Sequence, residues 1–130
     1  MPNKKGSLYP NDWMEKAQKD LKRVNVLLSA RDAAGAGFHL QQAIEKYLKA
    51  YLLTKGWKLE YINDPPKLLN YAKEYDSGLE TFRALCERVT EYYTSERYPF
   101  FEEIPPSKKE LDETLEQTNK LISKIKITVK

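Results

Sequence analysis

Cysteine, histidine and glycine are scarce in this 130-residue chain, and each scarcity closes off a class of function. With Cys86 alone, no disulfide can form within the chain. Its apolar, helical surroundings mark it as a small core residue rather than a nucleophile. A single histidine, His39, with no cysteine at ligand spacing, leaves no metal site to expect. There is no Gly-x-Ser-x-Gly elbow, no Cys–His motif and no Gly-x-x-x-x-Gly-Lys loop to cradle phosphates. Gly35 and Gly37 stand near a helix start, where small residues permit close packing. No run of about 18 apolar residues is present to span a membrane. The opening MPNKKGSLYPND has no apolar stretch of the kind a signal peptide needs. A formal charge of +3 is too slight to argue nucleic-acid binding by itself. These exclusions leave a single domain, expected in the cytoplasm, with no cofactor, no metal and no membrane partner.

Strand signals are equally sparse, and the KIKITVK tail is the one β-looking run. Helical signals recur instead. Residues 1–10 read as a flexible arm ahead of a single domain over residues 11–127. Asn11 or Asp12 offers a cap, and Trp13, Ala17, Leu21, Val24 and Leu28 follow at helical spacing to about Ala30. Asp32 caps a second helix that runs to about Lys55, where Gly56 and then Trp57 provide a left-handed stop and its apolar contact. Asp64 with two prolines starts a short helix. Ser77 and Glu80, then Ser107 and Glu110, have capping-box spacing for two further long helices. The first of these carries Leu79, Phe82, Leu85, Val89 and Tyr92 and ends near Tyr98, before Pro99. The second carries Leu111, Leu115, Leu121 or Ile122, and Ile125. The expected fold is all-α: an antiparallel up-and-down bundle of four long helices and one short one.

On a helical wheel, 38-FHLQQAIEKYLKA-50 places Leu40, Ile44, Tyr47, Leu48 and Tyr51 on one apolar face. His39, Gln42 and Lys46 form a polar stripe on its shoulder. Gln41, Glu45 and Lys49 lie further round, with Glu45 and Lys49 spaced to pair. Phe38 and Leu52 share that far side, so this helix wants several neighbours. For His39 two readings stand: a histidine bonded to a neighbouring helix, or a polar contact to nucleotide, RNA or a partner. In 92-YYTSERYPFF-101, Arg97 sits where a helix C-terminus welcomes a cation, and a guanidinium there is also placed to take a phosphate. Tyr93 and Tyr98 are candidates to stack on a base.

Taken together, 38-FHLQQAIEKYLKA-50, the later 91-EYYTSERYP-99 and the amphipathic 17-AQKDLKRVNVLL-28 resemble HEPN domains, the higher eukaryotes and prokaryotes nucleotide-binding family. The resemblance covers roughly residues 12–125. It implies an antiparallel bundle that commonly dimerises, and a frequent association with minimal nucleotidyltransferases encoded as separate partner proteins, some pairs acting as toxin–antitoxin modules. Many relatives are metal-independent ribonucleases carrying an arginine followed a few residues later by a histidine. Here Arg97 matches the arginine, but the histidine positions read 102-EEI-104, and 63-ND-64 stands where many relatives have His-Asp. No catalytic residue is therefore assigned. The expectation is a homodimeric nucleotide- or RNA-phosphate-binding module acting with a nucleotidyltransferase. Its candidate contacts are Arg97, His39, Gln42 and Lys46, with Tyr93 and Tyr98 stacking. A ribonuclease with a degenerate site, or a purely structural oligomerisation scaffold, are the alternatives.

Overall fold

The structure, a computed structural model, describes residues 6–97 and 106–129, with side chains for residues 6–92 and 106–129. Among these the chain is all-α, an antiparallel bundle without strands. Its helices are α1 (Pro10–Ser29), α2 (Ala33–Thr54), α3 (Pro65–Ala72), α4 (Arg83–Arg97) and α5 (Lys108–Thr128). A 3-10 segment, Ser77–Phe82, leads into α4. The KIKITVK tail continues α5 to Thr128, because Ile125 and Val129 bury against the bundle at helical spacing.

Helix boundaries follow local chemistry. The Asp32 carboxylate accepts the Gly35 amide at 2.9 Å, Asp64 accepts that of Lys67 at 3.2 Å, and the Ser107 hydroxyl accepts that of Glu110 at 3.1 Å. Each satisfies an amide that has no partner inside its helix. The second helix stops as expected: Gly56 takes φ +87°, and the Trp57 amide donates back to the Leu52 carbonyl at 3.0 Å. Two expected starts are different. Helix α1 begins at Pro10 after Tyr9, without a side-chain cap, because proline supplies the helical φ and has no amide to satisfy. Asp12 instead accepts the Ser7 hydroxyl at 2.7 Å, while Trp13 Nε1 donates to the Ser7 carbonyl at 2.8 Å. Ser7, in the segment read as an arm, is thus tied to α1. The 3-10 segment is capped by Asp76 rather than Ser77, and Glu80 turns to Arg83. Arg83 also donates to the Pro66 carbonyl and the Asn70 side chain, fastening α3 to the start of α4.

Helix α2 packs against α1, α3, α4 and α5 and so lies at the centre of the bundle. Leu40, Ile44, Tyr47, Leu48, Ala50 and Leu52 are all inaccessible, spread over more than one face. Each large aliphatic side chain so buried contributes about 1.5–3 kcal/mol. A Cβ at Gly37 would stand 3.0 Å from the Tyr92 ring, so glycine there permits the approach of α4. Cys86 is in the core, and burial pushes its thiol up to about 12, which leaves it unreactive at neutral pH. On α5 the inward face includes Thr114 and Thr118 while Leu115 is only partly covered. The two threonine hydroxyls donate to the carbonyls of Glu110 and Thr114, which lets polar residues occupy an apolar seam. No helix among the described residues is long and apolar enough to cross a membrane.

Candidate functional site

The tight corner between α1 and α2 folds the two helices back along each other. Their shared seam holds the buried charges of the described residues, Asp20, Glu45 and Lys49. Asp20, on α1, is 2% exposed. Its Oδ1 lies 3.0 Å from His39 Nδ1 and accepts from Arg23 at 3.2 Å, while its Oδ2 accepts from the Lys46 ammonium. An ionised carboxylate only accepts, so the His39 proton sits on Nδ1 and leaves Nε2 as the ring's open nitrogen. No buried side-chain polar atom among the described residues lacks a partner, and the His39 side chain is 25% exposed, so Nε2 faces the surface. His39 thereby meets the structural reading of a histidine bonded to a neighbouring helix while keeping one nitrogen available.

A second polar chain runs along α2 itself. Gln42 donates to Gln41 at 2.6 Å, Gln41 to Glu45 at 3.0 Å, and Lys49 to the other Glu45 oxygen at 3.0 Å. Gln41, Glu45 and Lys49 are all buried. The expected Glu45–Lys49 pair forms, but inside the protein instead of on its surface. Burial raises the Glu45 pKa above its ordinary value, and Lys49 with Gln41 opposes that rise. The Lys49 ammonium also stands 5.2 Å from the centre of the Trp13 ring, with Lys16 at 5.9 Å from the same ring. A cation over an indole face is held by the ring's quadrupole.

These groups border an open cleft of about 620 Å³, within the range of small-molecule sites. Lys16, Lys46 and Lys49 bring three ammonium groups to it, against Glu45, which pairs with Lys49, and the buried Asp20, which pairs with Lys46. Gln42 and Asn63 add amides, and Trp13 and Tyr61 add aromatic surface. Trp13 is buried beneath the lysines, whereas Tyr61 is 76% exposed at the rim and is the ring with a face free to stack. The arrangement suits a phosphate flanked by a planar group, since ammonium groups at a partly enclosed site attract an anion more strongly than in open water.

Of the residues singled out by sequence, Gln42 and Lys46 line this cleft together. His39 lies on the same seam but opens into a neighbouring groove with Lys22, Arg23, Val26 and Leu27. The backbones of Tyr93 and Arg97 belong to α4, but their side chains, and Tyr98 altogether, lie outside the described residues. Sequence reasoning passed over Asp20, Lys16 and Tyr61, and read Trp13 only as part of the apolar face of the first helix. The model of the HEPN domain family matches residues 10–128, spanning every helix just described. The chain belongs to the HEPN domain family. No curated protein and no solved structure matches it. This HEPN domain is thus a nucleotide- or RNA-related module, and the α1–α2 cleft is the part of its described surface best equipped for such a ligand.

Proposed function

We propose that this HEPN domain is a nucleotide- or RNA-phosphate-binding module whose ligand enters the α1–α2 cleft. The observation that carries the reading is the convergence of Lys16, Lys46 and Lys49 on one cleft whose rim holds the exposed Tyr61 ring. Lys46 and Lys16 take the phosphate, Gln42 and Asn63 lie within the same lining to contact sugar or base, and Tyr61 stacks on the base. Lys49, paired with Glu45, sets the floor potential more than it touches the ligand. Arg97, with Tyr93 and Tyr98, remains a proposed second phosphate contact, on the strength of the family motif alone. On the same grounds the domain works as a homodimer together with a separate nucleotidyltransferase, in the manner of a toxin–antitoxin pair.

Titration with adenosine nucleotides, followed by calorimetry, tests the cleft. Lys16→Ala is the cleanest variant, because among the described residues Lys16 has no ion-pair partner whose loss would unsettle the core. It is expected to weaken binding several-fold and to leave the melting temperature unchanged, as surface substitutions stay within about 0.5 kcal/mol. Unaltered affinity in Lys16→Ala would remove the cleft from consideration. Sedimentation of the purified chain, alone and with a nucleotidyltransferase, tests the assembly. A monomer that ignores the second protein would count against it.

A further inference from the structure

The seam between α1 and α2 carries not one cationic station but two. At the first, Lys16 of α1 and Lys46 of α2 both line the cleft. At the second, Arg23 of α1 and His39 of α2 line a groove of about 330 Å³, with Lys22 at its edge and Val26 and Leu27 as apolar floor. The helices run antiparallel, so the offset from Lys16 to Arg23 on one matches that from Lys46 back to His39 on the other. At 1.5 Å of rise per residue, the stations are about 10 Å apart. Between them lies Asp20, buried and shared among His39, Arg23 and Lys46. At 2% exposure it presents no carboxylate to a ligand passing between the stations, although it takes up part of the charge of Lys46 and Arg23.

A single phosphate occupies one station and leaves the other unused. A nucleic-acid strand advances about 3.4 Å per stacked nucleotide, so roughly three nucleotides bridge the gap. The second station is suited to a backbone rather than to another small ligand. Lys22 and Arg23 are exposed, Arg23 with only part of its guanidinium committed to Asp20, and His39 Nε2 opens toward the same groove. The side chain of Val26, 66% exposed, offers an apolar surface on which a base or sugar can rest.

We infer that the α1–α2 seam binds a single strand of nucleic acid, with one backbone phosphate at Lys16 and Lys46 and another at Lys22 and Arg23. The His39 Nε2 lone pair is open to a hydroxyl or amino donor of the strand. This rests on the phosphate-binding reading of the cleft and narrows its ligand from a nucleotide to an oligonucleotide. The test measures binding of adenosine monophosphate and of oligoadenylates of two, four and eight nucleotides, in ribose and deoxyribose series, to the full chain. Affinity rises at least about tenfold from the monophosphate to the tetramer, because the second contact becomes intramolecular, and then levels off. The double variant Lys22→Ala/Arg23→Gln lowers octamer affinity and reduces the slope of log affinity against log salt by about 0.7 per lost phosphate contact. It leaves monophosphate affinity unchanged, and its unchanged melting temperature shows that Asp20 is still held by His39 and Lys46. Equal binding of the ribose and deoxyribose series assigns recognition to the backbone, and a ribose preference adds a 2′-hydroxyl contact; either supports the strand. If the monophosphate binds as tightly as the octamer, the strand is overturned while the cleft stands. If neither binds, both readings fall.

Discussion

Two carboxylates are buried in the α1–α2 seam, and they are stabilised in different ways. Asp20 receives three donors from partly exposed side chains: Arg23 at 57%, His39 at 25% and Lys46 at 21% accessibility. Each partner keeps a path to water, so the charge cluster is desolvated on one side only. Glu45 has a single ammonium, Lys49, and both are about 5% exposed. Taking two ions out of water together costs several kcal/mol, which their attraction offsets only when the geometry is good and the remaining lone pairs are filled. Gln41 fills one of those at 3.0 Å, yet the Glu45 pKa still sits above its ordinary value. The comparison separates a working surface from its support: Asp20 organises side chains that reach well into solvent, and Glu45 fixes a lysine at the cleft floor whose side chain is only 5% exposed.

Removing one partner of the inner pair should have the largest effect. Lys49→Met keeps the aliphatic stem against Trp13 but strands the Glu45 charge, and is expected to cost about 3 kcal/mol in urea unfolding. The double variant Glu45→Gln/Lys49→Met should recover most of that loss, because no uncompensated charge remains. Additive losses in the double variant would mean that the pair is not coupled. The inner pair also gives the fold a pH dependence of definite sign. A carboxyl whose folded pKa is raised binds more protons folded than unfolded, so its contribution falls as pH rises from its ordinary value of 4.5 through the raised value. Relative to Glu45→Gln, the wild-type protein should therefore lose urea resistance as pH increases across that window. A difference that stays flat or grows with pH would contradict the assigned environment of Glu45.

The outer cluster should be more tolerant. Asp20→Asn removes the negative charge from three side chains that can each turn to water, so a loss of about 1–2 kcal/mol is expected. Its more informative consequence is electrostatic. With the shared carboxylate neutralised, the seam gains positive potential, and phosphate ligands should bind at least as tightly as to the wild-type protein. Binding that collapses in a folded Asp20→Asn protein would show that the orientation of Lys46 and His39, not their charge, limits affinity.

Sequence alone was enough for the bundle because helix ends are written in local chemistry. Asp32, Asp64 and Ser107 cap, and Gly56 stops, each through atoms within a few residues. The site was less legible for a geometric reason. A helical wheel gives the direction of Glu45 and Lys49 but not which directions other helices cover. Around α2, covered on several sides, the far face is buried as fully as the expected one. Asp20 did leave a trace. Trp13, Ala17, Asp20 and Val24 are the buried positions at one helical spacing, whereas Leu21 and Leu28, read as core, are only partly covered. An acid at the third position of that series is the mark of a buried carboxylate needing cationic partners. Tyr61 and Asn63 join the cleft from the connection between α2 and α3, where no periodicity exists to place them. The expected union of Arg97 with the His39 shoulder falls outside the described side chains.

The smallest effect should come from the corner that aligns the two stations. Arg31 adopts φ +61°, the left-handed conformation that a residue with a Cβ takes at a cost of about 1 kcal/mol. Its strain permits two bonds: the Arg31 amide to the Leu28 carbonyl at 3.1 Å and the Asp32 amide to the Leu27 carbonyl at 2.8 Å. The same Asp32 then caps α2, so one residue closes α1 and opens α2. Arg31→Gly relieves the strain and keeps both bonds, but glycine also gains freedom in the unfolded chain, which offsets part of the benefit. A net gain of about 0.5 kcal/mol in unfolding free energy is expected, with octamer affinity unchanged because the antiparallel register of Lys16 with Lys46 and of Arg23 with His39 is preserved. A loss of stability would mean that the Arg31 side chain holds the corner through contacts beside Leu28 and Leu111, with which it lines a shallow apolar cleft.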